Sequence, residues 1–338
     1  MTDLLSFGLD LGMGACKLYG AAGGLFLQSQ VAADNKQNIS ALLGLRNRKP
    51  PLRICFGEMS LFVGSHAHGF GRPIENLDFD RLAGSLETRA IVYATLTRYM
   101  EIYGEITAPV SLVVGLPLQP LTGAQSAQNA ESARAWLKGS HEWLCDDKPF
   151  QISIAEVKIA SQPSGALFDY LLDLQGQFVS DRKKDFSAEI GVLSLGFNTL
   201  ELLTIQNRSA VQGLSAGTTA GVRRLLELLN PEGLYSLGEL DTLLRAGSLD
   251  IKTALPIWWR EVSGAIEKTW GGRWKRFARI LAVGGGVHLL RDQLPTYFAG
   301  RAFIPDDPVL SISRGLYKLA LMQSARKPQP EGEAAHGT

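Results

Sequence analysis

The sequence predicts an α/β fold built from two similar halves, and three observations point to it. Each half opens with strands that double back at a glycine turn, first near Gly12 and again near Gly196. Each half then continues into helices and short buried strands, and a late buried strand ends at three consecutive glycines. Antiparallel strands followed in both halves by helices and parallel strands favour a duplicated design over one continuous doubly wound sheet.

Size and composition set the first limits on what the chain is. Its 338 residues and 36.7 kDa fit about two domains of ordinary size. Lys and Arg total 34 against 33 Asp and Glu, so no overall basic field would bind nucleic acid directly. Three widely spaced cysteines, no apolar run of about 18 residues and no signal-peptide pattern predict a cytoplasmic protein without a transmembrane segment.

In the first half, hydrophobic periodicity separates strands from helices. Short apolar or alternating runs predict strands at 4–11, 17–19, 25–31, 53–56, 60–63, 109–116 and 152–159. Apolar residues at helical spacing predict helices at 85–103, 126–137 and 165–179. The polar stretch 35–51 predicts a loop.

The second half repeats this organisation. Strands are predicted at 190–194, 200–205 and 280–283, and helices at 218–229, 234–246, 256–276 and 309–322. The end of the chain, 326–338, is rich in Pro, Gly, Glu and Ala, which predicts a disordered tail.

The first strand runs into a glycine-rich turn, Asp10-Leu-Gly12-Met-Gly14-Ala-Cys-Lys17. Glycines place no Cβ in the way, so backbone N–H groups can approach an anion closely. Lys17 is suited to contact a phosphate as a point charge, and Asp10 to hold the water shell of Mg²⁺. The alternative is a hairpin in which the glycines serve the turn geometry alone.

A second turn, Ser194-Leu-Gly196-Phe-Asn198-Thr199-Leu-Glu201, opens the second half in the same way. It contains a single glycine, and no acidic residue precedes it. An ordinary β-hairpin is therefore a strong alternative for this segment.

The third glycine motif is Gly284-Gly285-Gly286, between the buried strand 280–283 and an expected helix. Without side chains, such a bend lets a flat ring or a phosphate lie on the backbone. The N-terminus of the following helix supplies positive potential. The alternative is a flexible loop.

In this order and spacing, the three motifs resemble the phosphate-1, phosphate-2 and adenosine motifs of the actin, chaperone and sugar-kinase ATPase superfamily. Further segments resemble bacterial and archaeal actin-like proteins, closest to the plasmid-segregation (ParM-like) group. These segments are VVGLP at 113–117, ASQPSGA at 160–166 and DDP at 306–308 before SRG at 313–315. The resemblance covers the chain up to about residue 322. It implies an actin-like (ribonuclease H-like) fold, with duplicated domains around a nucleotide cleft.

The resemblance also implies a role for each site residue, with ATP or GTP and Mg²⁺ as ligands. Asp10 would order the metal's waters and take part in catalysis, and Gln162 would position the attacking water. Read without the family pattern, Gln162 is a polar residue in a hinge. The nucleotide would be held by Gly12, Gly14, Lys17, Gly196, Asn198, Thr199, Gly284, Gly285 and Gly286. The base or ribose would be approached by Thr218, Thr219 and Arg223.

One position departs from the family pattern. The phosphate-2 motif usually begins with Asp, whereas this chain has Ser194, and its next acidic residue is Glu201. Loss of one carboxylate weakens the ordering of Mg²⁺, and a hydroxyl carries no compensating charge. Nucleotide binding through the backbone and Lys17 is expected to persist. Hydrolysis is expected to be slow, to use a shifted carboxylate or to be absent. The ATPase that the resemblance implies therefore has an atypical phosphate-2 motif.

The chain crossings of the superfamily imply domain boundaries. Domain I would comprise 1–162 and 308–325, and domain II would comprise 163–307. The implied function is an actin-like protein that polymerises head-to-tail with nucleotide and acts in plasmid or DNA segregation or cytoskeletal organisation. A DNA-binding adaptor would supply the contact with DNA.

Two other functions remain open from the sequence. One is a regulator or scaffold that binds nucleotide without polymerising or hydrolysing it, which Ser194 favours. The other is a small-molecule kinase. A kinase needs a carboxylate base near the transferred phosphate, and Asp10 is the one nearby candidate, with no sugar-site signature beside it.

Overall fold

The computed structural model describes residues 4–34 and 50–325. Nearly all of the predicted loop at 35–51 and the whole predicted tail at 326–338 lie outside these ranges. Within them, the strands form one sheet of ten strands and one of six. The two sheets confirm the predicted mixed α/β organisation.

The first sheet is formed by the first ten strands of the chain. They are β1 Leu5–Leu11, β2 Ala15–Gly20, β3 Gly23–Gln28, β4 Val31–Ala33, β5 Leu52–Phe56, β6 Met59–Val63, β7 Arg72–Pro73, β8 Val110–Leu116, β9 Gly139–Cys145 and β10 Lys148–Ser161. Their order is β3-β2-β1-β8-β10-β9-β5-β6-β4-β7. Strands β1, β8 and β10 run parallel, and Asp10, Gly115 and Ala160 are neighbours in register. This register brings Asp10 and the end of β10 to the same edge of the sheet.

The second sheet repeats the pattern on a smaller scale. Its strands are β11 Ile190–Leu195, β12 Leu200–Gln206, β13 Ser209–Ala210, β14 Ala216–Thr218, β15 Arg279–Val283 and β16 Ala302–Phe303. Strand β11 pairs antiparallel with β12 and parallel with β15, as β1 does with β2 and β8. The glycine turns of both halves therefore lie at the same topological position.

The helices follow in chain order. They are α1 Leu86–Tyr103, α2 Ser126–Leu137, α3 Gln162–Leu171, α4 Ser180–Lys183, α5 Val222–Leu229, α6 Leu237–Arg245, α7 Leu255–Trp270, α8 Gln293–Tyr297 and α9 Ser311–Ser324. Each sheet has its own cluster of buried apolar side chains. A further cluster joins Val113 of β8, helices α3 and α9, and the facing side of the second sheet.

Helices α3 and α9 are tied together by a buried charge cluster. A Cβ on Gly315 of α9 would overlap the carbonyl oxygen of Gly165 in α3, so glycine is required for this close approach. The Asp169 carboxylate accepts hydrogen bonds from Arg314 (2.6 and 2.7 Å) and Lys318 (2.8 Å). Burial by itself raises the pKa of Asp169, but these two cations outweigh it and lower the pKa below its usual value of 3.8.

Several predicted boundaries are wrong. The helix predicted at 165–179 begins at Gln162, where the Ser161 side chain caps it, and ends at Leu171. The helix predicted from 218 begins at Val222, because β14 continues through Thr218. The helix predicted at 256–276 ends at Trp270.

Other differences concern strands and short helices. Strand β9 was not predicted, because most of its residues are exposed and only Trp143 and Cys145 are buried. The bend at 284–286 leads into a 3₁₀ helix, Gly285–Leu290, rather than an α-helix.

Candidate functional site

A cavity of about 760 Å³ lies between the two sheets, and both halves of the chain line it. Its lining contains the residues predicted to bind nucleotide or act on it, namely Asp10, Gly12, Gly14, Lys17, Gln162, Gly196, Asn198, Thr199, Gly284, Gly285 and Gly286. Thr218, Thr219 and Arg223 are not among the lining residues. A larger groove, of about 1110 Å³, lies elsewhere on the first sheet and contains none of the predicted residues.

The first hairpin places a neutralised carboxylate in this cavity. Asp10 and Lys17 are cross-strand partners, and Asp10 is 1% exposed. Asp10 Oδ2 lies 3.0 Å from Lys17 Nζ, and Oδ1 accepts a hydrogen bond of 2.7 Å from the Gln162 side-chain amide. The Ser29 side chain and backbone N–H donate to the carbonyls of Gly12 and Gly14, which holds the turn in shape.

The two glycine turns touch each other. A Cβ on Gly14 would overlap the Cβ of Phe197 in the second turn, so the absence of a side chain at Gly14 permits the contact. The second turn in turn rests on the start of α5. Val222 N–H and Arg223 N–H donate to the carbonyls of Gly196 and Phe197, at 3.1 and 2.7 Å. These N–H groups of the helix N-terminus are therefore already used by the turn.

The second hairpin carries its carboxyl group on the other strand. Ser194 is 4% exposed, and its cross-strand partner Glu201 is 1% exposed. Glu201 Oε1 accepts a hydrogen bond of 2.6 Å from Leu118 N–H, just after β8. Oε2 has no hydrogen-bond partner among the described residues. Burial raises the pKa of Glu201 to about 8; the Leu118 hydrogen bond opposes the rise and the charge of Asp10 adds to it.

The three consecutive glycines form a bend held on both sides. Gly284 has a φ of 97°, and its N–H donates to Pro308 O at 2.7 Å. A Cβ on Gly284 would overlap the carbonyl oxygen of Leu195 at the end of β11. By contrast, a Cβ on Gly285 would meet no atom within 4 Å. Gly285 is thus an open backbone surface facing the cavity.

Comparison with known proteins gives this architecture a family context. Residues 8–165 match the family model described as the N-terminal domain of actin like proteins. The chain has an actin-like fold. This confirms the resemblance inferred from the glycine motifs. No match was found among curated proteins.

Solved structures with the same fold cover nearly the whole chain. The apo pSK41 ParM protein is 20% identical over 96% of this chain and 99% of that chain, with a TM-score of 0.70. Ta0583, an archaeal actin homolog in complex with ADP, is 20% identical over 95% and 100%, with a TM-score of 0.70. A 15-stranded ParM filament from Clostridium botulinum is 17% identical over 94% and 99%, with a TM-score of 0.71.

In this actin-like fold, polar contacts that the sequence did not reveal join the two halves of the chain beside the cleft. The Gln28 amide donates to Asp241 of α6 at 3.0 Å. The Gln30 amide donates to Gly238 O at 2.8 Å and Thr242 Oγ1 at 3.0 Å. The capping box of Ser236 and Glu239 signals the start of α6 in the sequence, but nothing local signals its partners across the cleft.

The donor groups in the cleft suit a magnesium ion that arrives with a phosphate ligand. Among residues 4–34 and 50–325, no cluster of three or more His, Cys, Asp or Glu could hold a metal alone. Mg²⁺ does not need one, because it keeps several waters and uses one or two carboxylates together with substrate phosphates. Asp10 fits that requirement. Within the same ranges, none of the helices has the length and apolar character to cross a bilayer.

Proposed function

We propose that this chain binds ATP or GTP with Mg²⁺ in the cleft, hydrolyses it, and assembles head-to-tail into filaments. The observation that carries the proposal is the meeting of both glycine turns, Lys17 and the open Gly285 backbone in one cavity of about 760 Å³. The ADP complex of one relative and the filament of another support it.

The phosphate end of the cleft is the first hairpin. Lys17 supplies the positive charge for the phosphates, and the turn at Gly12 and Gly14 supplies backbone N–H groups. Bound Mg²⁺ would shield the negative charge of the triphosphate, and Asp10 would hold it through its waters. The open surface at Gly285 would carry the purine.

Hydrolysis follows from the placement of Gln162. Its amide nitrogen donates to Asp10, which leaves its carbonyl oxygen to accept a hydrogen bond from the attacking water. The water oxygen bonds to the γ-phosphorus, and the bond to the bridging oxygen breaks. The proton leaves with inorganic phosphate, and the nucleoside diphosphate stays behind. Positioning accounts for most of the catalysis, because phosphoryl transfer through a loose transition state needs little early proton removal.

The domains and the cellular role belong to the same proposal. Domain I comprises 1–162 and 308–325, and domain II comprises 163–307, so nucleotide binding couples to the angle between them. A heterologous head-to-tail contact does not close and so produces a filament. The protein acts in the cytoplasm, in plasmid or DNA segregation. An adaptor binds the DNA, because the chain's net charge of +1 does not favour direct binding.

Two measurements on a matched pair of variants test the proposal. In wild type, calorimetry is expected to detect binding of ADP or GDP, and sedimentation is expected to pellet the protein only with ATP or GTP and Mg²⁺. Gly285→Leu is expected to abolish both nucleotide binding and pelleting, because the leucine side chain occupies the cleft. The fold should tolerate the substitution, since a Cβ at this position would meet no protein atom within 4 Å. Gly272→Leu, which also has open space at Cβ, is the control and is expected to behave as wild type.

The outcomes also separate the other two functions. Nucleotide binding without a pellet under any condition would favour the scaffold, which Ser194 in the phosphate-2 position supports. Phosphate release that requires an added acceptor would favour a small-molecule kinase. If calorimetry detects no binding of either nucleotide, the whole proposal is contradicted, because every step of it depends on nucleotide binding.

A further inference from the structure

The two hairpins carry their buried carboxyl groups at equivalent ladder positions but on opposite strands. In β1–β2, Asp10 faces Lys17, and in β11–β12, Ser194 faces Glu201. Directly opposed residues of an antiparallel pair project from the same face of the sheet, about 5 Å apart at Cβ. Ser194 lines the cleft and Glu201 does not, so the Glu201 side chain lies beside Ser194, one strand behind the cleft wall.

Only one of the two carboxyl oxygens of Glu201 has a hydrogen-bond partner among the described residues. Leu118 N–H binds one carboxyl oxygen at 2.6 Å, and the other is buried with no partner among the described residues. Buried polar atoms nearly always have a hydrogen-bond partner, so an unpaired carboxyl oxygen beside a ligand cavity indicates a ligand contact. The hydrogen bond from Leu118 fixes the direction of the side chain, and it comes from the first sheet. Glu201 is therefore held in place when the two sheets are together.

Asp10 of the first hairpin also acts on Glu201. Burial is the main cause of the raised pKa of Glu201, and the charge of Asp10 adds to the rise. Two acidic groups brought together by folding repel each other, and a cation between them removes that cost. Mg²⁺ with its water shell fits such a site, because it uses up to two carboxylates besides phosphates.

We propose that Glu201 is the second acidic group of the cleft, and that its free oxygen Oε2 binds the water shell of the Mg²⁺ that arrives with the nucleotide. The carboxyl group opposite Ser194 thus supplies the acidic oxygen ligand that Ser194 lacks. Glu201 is a positioning residue for the metal and does not contact the reacting phosphorus. This inference depends on the proposed binding of magnesium and nucleotide in the cleft.

The test measures metal-dependent binding rather than turnover. Calorimetry with ADP, in Mg²⁺ and in EDTA, gives the ratio by which the metal tightens binding. Loss of an outer-shell partner usually costs about 10- to 100-fold in metal affinity, so we expect about a tenfold ratio in wild type and about twofold or less in E201Q. Affinity in EDTA is expected to be unchanged, since Gln can still accept from Leu118 N–H.

A double variant and a control isolate the carboxylate. S194D/E201Q moves the carboxylate to the opposite strand and is expected to restore the magnesium ratio to within about threefold of wild type. The control is E189Q. Glu189 precedes β11, and its buried carboxylate pairs with Arg276 at 3.0 Å, so its removal is expected to keep the wild-type magnesium ratio. Thermal unfolding without nucleotide identifies variants that do not fold.

The results can overturn the inference separately from the proposed function. A wild-type magnesium ratio in folded E201Q would overturn it, as would equal losses in E201Q and E189Q. If E201Q does not fold, the magnesium ratios of S194D/E201Q and E201D test the inference instead. E201D retains the charge with a shorter reach and is expected to give an intermediate ratio, and a full wild-type ratio in the double variant would support the inference. If wild type binds neither ADP nor GDP, the proposed function fails first.

Discussion

The two glycine hairpins share a backbone plan and differ in charge. In each hairpin the first strand also pairs with a parallel strand, and each hairpin carries one buried carboxyl group close to its glycine turn. In the first hairpin Lys17 neutralises Asp10, whereas in the second no cation faces Glu201 among its described hydrogen bonds and ion pairs. A duplicated fold therefore keeps the geometry of its turns while each copy takes a different electrostatic role.

The largest expected effect comes from removing the acidic group of the first hairpin. Asp10→Ala leaves Lys17 and Gln162 without their acceptor, and we expect Mg²⁺-dependent phosphate release to fall about 100-fold or more. Ser194→Ala, the equivalent position in the second hairpin, is expected to change the rate by less than about threefold. Release of phosphate from ATP or GTP measures both. Equal effects would show that the hairpins are not functionally different.

Removing the partner of Asp10 is expected to affect catalysis more than binding. Gln162→Ala should lower kcat about 10- to 100-fold while the dissociation constant for nucleotide stays within about threefold. Gln151→Ala, at an exposed position of β10, the strand that leads into α3, is the control. It should leave both kcat and the dissociation constant unchanged. A large loss of affinity would mean that Gln162 contacts the nucleotide directly.

The contact between the hairpins can be tested through stability. Gly14→Ala forces a methyl group against Phe197, and overpacking of this kind costs about 1–3 kcal/mol in the free energy of unfolding. Gly213→Ala, where a Cβ would meet nothing within 4 Å, should change it by less than about 0.5 kcal/mol. Urea denaturation of the nucleotide-free protein compares the two. Similar stabilities would mean that the turns can separate at little cost.

The smallest expected effect is a change in the pH dependence of stability. Glu201 has a pKa of about 8 in the folded chain against an ordinary value of 4.5, so the folded state holds its proton more tightly. Its contribution to stability is therefore complete below about pH 4.5 and declines as the pH rises to about 8. E201Q lacks this decline, so its Tm should fall less than that of wild type between those values. Parallel Tm curves for the two proteins would contradict the assignment.

The sequence predicted the parts of the site that depend on local composition. Glycine turns and buried strands are recognisable because each follows from a few neighbouring residues. The Ser161 cap of α3 was not recognised, and the helix was expected to begin at residue 165. Thr218 and Thr219 show where that approach fails. Their segment has a helical pattern, but Thr218 belongs to strand β14, which pairs with β12. Tertiary hydrogen bonds outweighed the local preference.

Local chemistry in the sequence determined where the chain turns, which strands are buried and which residues carry charge near those turns. Only the tertiary structure decided which of these groups meet. Gln162 binds Asp10 across 152 positions of sequence, and Leu118 binds Glu201 across 83. The physical reason is that a hydrogen bond between distant segments depends on how two sheets pack, and that packing is set by the buried faces of many elements together.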